Sequence, residues 1–171
     1  MPLFGPPDIQ KLKEKGDVKG LKNALDYGLK RKDIEYTLNA AFALAEFNVY
    51  TPALAVGVKN HDWKTRQKTY VYYAKFVLPG FIPLLVALHD EQEQVRLTAI
   101  TALILRAEKR AVKPLVDCLL YDPSKYVRQS SAIALRKLGG SEILEPLLKA
   151  RNDPEPDVRK EVNKALAALG Y

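Results

Sequence analysis

Residues 110–140 read RAVKPLVDCLLYDPSKYVRQSSAIALRKLGG, the pattern of two helices joined by a short turn. Pro114-Leu115 opens an apolar run that ends at Tyr121, and Asp122-Pro123 interrupts it. Val127-Arg128 begins a second run, carried on by Ser131, Ala134, Leu135 and Leu138, and Gly139-Gly140 closes it. Apolar or small residues near i+4, i+7, i+8 and i+11 make one face of a helix.

The same markers return on both sides of this stretch. Pro-Leu stands at 83–84 and 146–147, and Val-Arg at 95–96 and 158–159, with offsets of 31 and 32 residues in both series. Two independent markers that keep one period indicate repeated supersecondary units. Extended backwards, the first column takes in Pro52-Ala53 and Gly20-Leu21, and the second takes in Thr65 and Ile34. Proline is tolerated in the first turn of a helix, where its missing N–H would be unpaired, so the first column marks five helix starts. The second column marks five partner helices, including one over the β-prone run Tyr70-Val71-Tyr72-Tyr73, where the period outweighs local propensity. Gly139-Gly140 and Gly170 are expected as C-terminal caps.

Before the first unit, Pro6-Pro7-Asp8 opens a short polar helix that ends at Gly16, with Asp8 as its N-cap. Nothing later matches it, and it is expected to close the end of the array. The expected organisation is one all-α domain over 1–171, with a cap at 1–16 and repeats near 17–46, 47–78, 79–109, 110–140 and 141–171.

Composition agrees with a globular chain. Its 171 residues are 47% hydrophobic and 27% charged. No apolar run approaches the length of a membrane span, and the start shows no basic-then-apolar secretion signal. The single cysteine, Cys118, has no partner for an internal disulfide, which fits a cytoplasmic location.

In the order Pro-Leu, Asp-Pro, Val-Arg, Ala-Leu, Leu-Gly at a period near 31, the chain resembles HEAT repeats, in particular the short HEAT-like repeats of phycobilin lyases. The resemblance spans roughly 17–171 and is strongest over the last three units. It implies a right-handed α-solenoid of about five helical hairpins whose second helices line a concave surface. It also implies an inter-repeat ladder of Asp90, Asp122 and Asp153 with Arg96, Arg128 and Arg159. Arginine suits that role because it offers several donors to a carboxylate and to helix-end carbonyls at once. The first units depart from the pattern, with Thr65 for valine and Glu35 for arginine.

Little points to catalysis. His61 and His89 fall near turns and in different columns, too few to hold a metal. Cys118 lies on an apolar face, where a thiol is inert. No phosphate loop, nucleophile–base set or carboxylate pair is apparent, so no cofactor, no metal and no enzymatic activity are expected.

The second helices are more informative. Counting from each marker, positions i+2, i+6 and i+10 point away from the core. With the rim residues, they hold Trp63, Gln67, Val71 and Lys75, then Leu97, Thr101 and Leu105, then Tyr126, Gln129, Ile133 and Lys137. Arg106 stands where Leu138 and Leu169 suggest core, so Leu105 is a candidate to fill that core position instead. Apolar and aromatic residues where solvent favours charge suggest a protein-binding face.

Formal charge is +7, spread unevenly. Residues 47–78 and 110–140 are each net +4, whereas 79–109 and 141–171 are each net −1. A groove that tracks a nucleic-acid backbone should be positive along its length. The leading expectation is a non-enzymatic protein-interaction scaffold that holds a partner segment on the concave face. The alternative is nucleic-acid binding, because some DNA glycosylases resemble HEAT-like arrays. The acid that such chemistry needs would come from Asp62, Asp117 or Asp122. A remoter alternative is a phycobilin lyase-like role, and self-association through the apolar face is also open.

Overall fold

The computed structural model describes residues 5–76 and 81–171. The start of the cap and the boundary expected at 78–79 lie outside them. Among the described residues the chain is all-α, with eleven α-helices and no strand.

Helix α1 spans Ile9–Glu14. Five pairs follow: α2 (Val18–Arg31) with α3 (Ile34–Glu46), α4 (Leu54–Val58) with α5 (Trp63–Lys75), α6 (Phe81–Ala87) with α7 (Glu93–Leu105), α8 (Val112–Tyr121) with α9 (Lys125–Leu138), and α10 (Leu144–Ala150) with α11 (Pro156–Ala168). These are successive helical hairpins, the arrangement of an α-solenoid. The chain divides into two compact units, up to residue 79 and from residue 80.

Local chemistry sets the helix ends. Asp8, Asp17 and Asp33 accept the N–H of the residue three further on, at 3.0, 2.8 and 2.9 Å, and so cap α1, α2 and α3. The prolines fall in the first turn rather than at the first residue: Pro83, Pro114 and Pro146 are each third in their helix. That position is still free of an intrahelical N–H bond, so the ring costs nothing there. Pro52 stands two residues ahead of α4.

C-termini meet the glycine expectation in part, and Gly16 follows α1 at φ +64°. Gly170 has φ +88° and closes α11, as a left-handed cap does. Gly139 ends α9 in extended backbone instead, at φ −83° and ψ 165°. Left-handed closures occur after α2, α3 and α7 on Lys32, Asn48 and Ala107, none of which is a glycine.

In the first unit, α3 is buried on nearly every side, with Leu38, Phe42 and Leu44 at most 4% exposed. It packs against α2, against the α4–α5 hairpin and against α1. Tyr36 donates its hydroxyl to the Pro7 carbonyl at 2.6 Å and so fastens the segment leading into α1. At Gly57 of α4 a Cβ would collide with the Thr69 hydroxyl of α5, so only glycine lets these two helices approach so closely.

In the second unit the cores repeat: Leu84, Leu115 and Leu147 on the first helices and Val95, Val127 and Val158 on the second are all fully buried. Helices α7, α9 and α11 pack side by side, and more extensively than the first helices do. Leu105 is 69% exposed and does not take the core position left by Arg106. It lies at the C-terminal end of α7, and Leu103 is the buried residue there.

Candidate functional site

The turns within the last four hairpins are built alike. Asn60, Asp90, Asp122 and Asp153 each accept the N–H two residues on, at 2.8–2.9 Å. That residue is the N-cap of the second helix, and Asp62 and Ser124 add side-chain caps of their own. Six residues after each turn residue an arginine folds back over it. Arg66, Arg96, Arg128 and Arg159 donate from Nη1 to two consecutive turn carbonyls at 2.7–3.2 Å.

In the second unit, the remaining donors of Arg96 and Arg128 reach the next hairpin. Nε and Nη2 of Arg96 take both oxygens of Asp122, and those of Arg128 take both oxygens of Asp153. Burial works against the ionised Asp153 carboxyl. Its bonds from Arg128 and the Glu155 N–H win, and its pKa falls below the ordinary value.

Of the eleven residues that sequence places on the outward faces of the second helices, none is buried. Leu105, Tyr126 and Val71 are 69%, 54% and 45% exposed, and Trp63, Leu97 and Ile133 are half-buried. In the second unit, Leu97 and Leu105 stand on α7 and Tyr126 and Ile133 on its neighbour α9. Thr101 uses its hydroxyl proton within α7, donating to the Leu97 carbonyl at 3.0 Å. Exposed apolar side chains also occur on first helices, which sequence reasoning missed: Ile82 and Val86 are 71% and 62% exposed on α6. Their spacing of four was the available signal.

The first unit carries a groove between α3 and α5 that sequence reasoning also missed. One part encloses about 490 Å³ over Leu38 and Phe42, beside the turn at His61. A second part of about 300 Å³ shares Asn39, Phe42 and Lys68 with it and runs on to Glu46, Tyr72 and the cap residue Lys13. The Lys68 ammonium lies 4.6 Å from the centre of the Phe42 ring, and Phe42 stacks on Tyr72 at 4.6 Å. Glu46 ties the groove to the cap, accepting from Lys13 at 2.9 Å and from the Tyr72 hydroxyl at 2.9 Å.

The candidate acids are engaged or exposed. Asp62 takes the Thr65 hydroxyl at 2.7 Å, and that bond above all holds its pKa low. Asp122 is held by Arg96, while Asp117 is exposed on α8. Cys118 is buried, and burial pushes its thiol up to about 11. Among the described residues no three His, Cys, Asp or Glu side chains are grouped as metal ligands, and no helix is long and apolar enough to cross a membrane.

A family model described as HEAT repeats matches residues 81–167. No curated protein matches the chain.

Proposed function

The chain belongs to the HEAT-repeat family, and on that premise we propose that it is a non-enzymatic interaction module. Such repeats are commonly protein-interaction scaffolds and typically not enzymes. In this reading the second-helix face of the second unit holds a segment of a partner protein, with Leu97, Tyr126 and Ile133 as anchors. The observation that carries it is the exposure of apolar side chains at repeated positions of the second helices. Aromatic and aliphatic anchors of this kind lose water on binding and supply most of the affinity of an interface. The lone buried cysteine fits a cytoplasmic setting.

The test is capture of peptides from a displayed library of random twelve-residue segments. Replacing both Leu97 and Tyr126 by alanine should weaken capture by about tenfold or more. The helical circular-dichroism spectrum should stay unchanged. Undiminished capture would move the site off this face. Light scattering on the same samples separates capture from self-association: a salt-stable dimer would mean that the face binds a second copy.

Nucleic acid is a second reading, favoured by lysines beside aromatic rings on α5. It requires affinity that falls steeply with salt.

A further inference from the structure

Helix α5 has a sharply one-sided surface. Its buried face is Arg66, Thr69, Tyr70 and Tyr73. On the opposite face Lys64, Lys68 and Lys75 fall within roughly 40° of one another and within roughly 16 Å along the axis, at 100° and 1.5 Å per residue. Val71 lies in the same sector and is 45% exposed. The helix contains no acidic residue. Among the described residues, no carboxylate forms an ion pair with any of the three lysines.

Each ammonium lies instead beside an aromatic ring: Lys64 is 5.8 Å from the Trp63 ring centre, Lys68 is 4.6 Å from that of Phe42, and Lys75 is 5.4 Å from that of Phe76. These contacts limit where the ammonium groups go without neutralising them, so their charge stays available to a ligand. Glu35 lines the groove on its α3 side, and two other carboxylates near the lysines are already used. Asp62 caps α5, and Glu46 is held by Lys13 and Tyr72. Beside the lysines runs the α3–α5 groove, with Leu38 and Phe42 lining its floor.

We propose that the α5 lysine face and the adjoining α3–α5 groove bind an acidic protein segment that carries a bulky apolar residue. The proposal rests on the reading of the chain as an interaction module and names the class of partner. Carboxylates of the segment take Lys64, Lys68 and Lys75, and the apolar side chain enters the groove. The lysine row matches about five residues of an extended chain at roughly 3.3 Å each, or three turns of helix. Charge complementarity of this kind raises the association rate and selects among partners.

The experiment is selection of the displayed twelve-residue library on the whole protein, repeated with the triple variant Lys64→Glu, Lys68→Glu, Lys75→Glu. Circular dichroism checks that the variant remains helical. Recovered peptides should be rich in Asp and Glu with one or two large apolar residues, and the triple variant should bind them at least about tenfold more weakly. Replacing the acidic residues of a recovered peptide by Asn and Gln should cause the same loss. The variant Lys160→Glu, whose site is on α11, should leave binding unchanged. Recovery of no peptide would sink the module reading and this inference together. Peptides without acidic bias, or acidic peptides indifferent to the triple variant, would sink this inference alone. Quenching of Trp63 fluorescence by a twelve-nucleotide oligothymidylate, at lower concentration than any recovered peptide needs, would overturn it in favour of nucleic acid.

Discussion

Arg96 donates from Nε and Nη2 to the two carboxylate oxygens of Asp122 at 2.8 and 3.0 Å, across 26 residues of sequence. The same guanidinium gives Nη1 to the carbonyls of Asp90 and Glu91, in its own turn. It therefore joins its own hairpin to the next. The two side chains are only 10% and 6% exposed, so removing one partner strands a charge away from water. Asp122→Ala should destabilise the fold by about 3 kcal/mol in urea unfolding. Arg159 donates to the carbonyls of Asp153 and Pro154 at the end of the chain, and Arg159→Lys should cost only about 1 kcal/mol. Equal losses at the two sites would mean that the buried carboxylate pair is worth no more than the carbonyl bonds.

Ala107 ends α7 with φ +48°, where its N–H meets the Ile104 carbonyl and the Glu108 N–H meets that of Leu103. A Cβ disfavours this left-handed conformation by about 1 kcal/mol or more. Glycine avoids that strain, less the entropy it loses from a freer unfolded chain. Ala107→Gly should raise the unfolding midpoint, with a net gain of about 0.5–1 kcal/mol. A lower midpoint would show that the Ala107 methyl group contributes packing that outweighs the strain.

Glu46 and Tyr72 make the first unit sensitive to pH on opposite sides of neutrality. Burial raises the Glu46 pKa, but the bonds from Lys13 and Tyr72 outweigh it and the carboxyl sits below its ordinary value. A lowered acid stabilises the fold above its unfolded pKa and loses that contribution as pH falls through the folded one. Glu46→Gln should therefore cost about 1 kcal/mol at pH 7, with the gap from the parent closing in acid. On the alkaline side, burial and then Glu46 push the Tyr72 hydroxyl up to about 12 from an ordinary 10.0. Burial likewise raises Tyr73 to about 12. Their contribution is complete below pH 10 and is lost as pH rises toward 12. Absorbance at 295 nm should show tyrosines that ionise last, together with loss of helix. Complete ionisation near pH 10 with the helices intact would refute this.

The hairpin repeat was legible in residues 110–140 because its signals are local. A proline in a first turn, an aspartate at a turn and apolar residues at helical spacing act within one or two turns of backbone, where sequence distance and spatial distance agree. Which side of α7 or α9 avoids the core follows from the same period. The partners of the turn residues were decided by tertiary structure. Aspartate and arginine recur as columns, but the arginine takes the backbone carbonyl of its own turn and the carboxylate of the next, a choice that exists only once one hairpin lies against another. The groove of the first unit has the same origin. Phe42, Lys68 and Tyr72 come from two helices, and the Lys13–Glu46 pair spans 33 residues. Left-handed closure at Ala107 carries no sequence signal, since alanine disfavours it and the stacked helices impose it. The short-range part of the free energy is written residue by residue, whereas pairings across hairpins depend on how whole faces exclude water together.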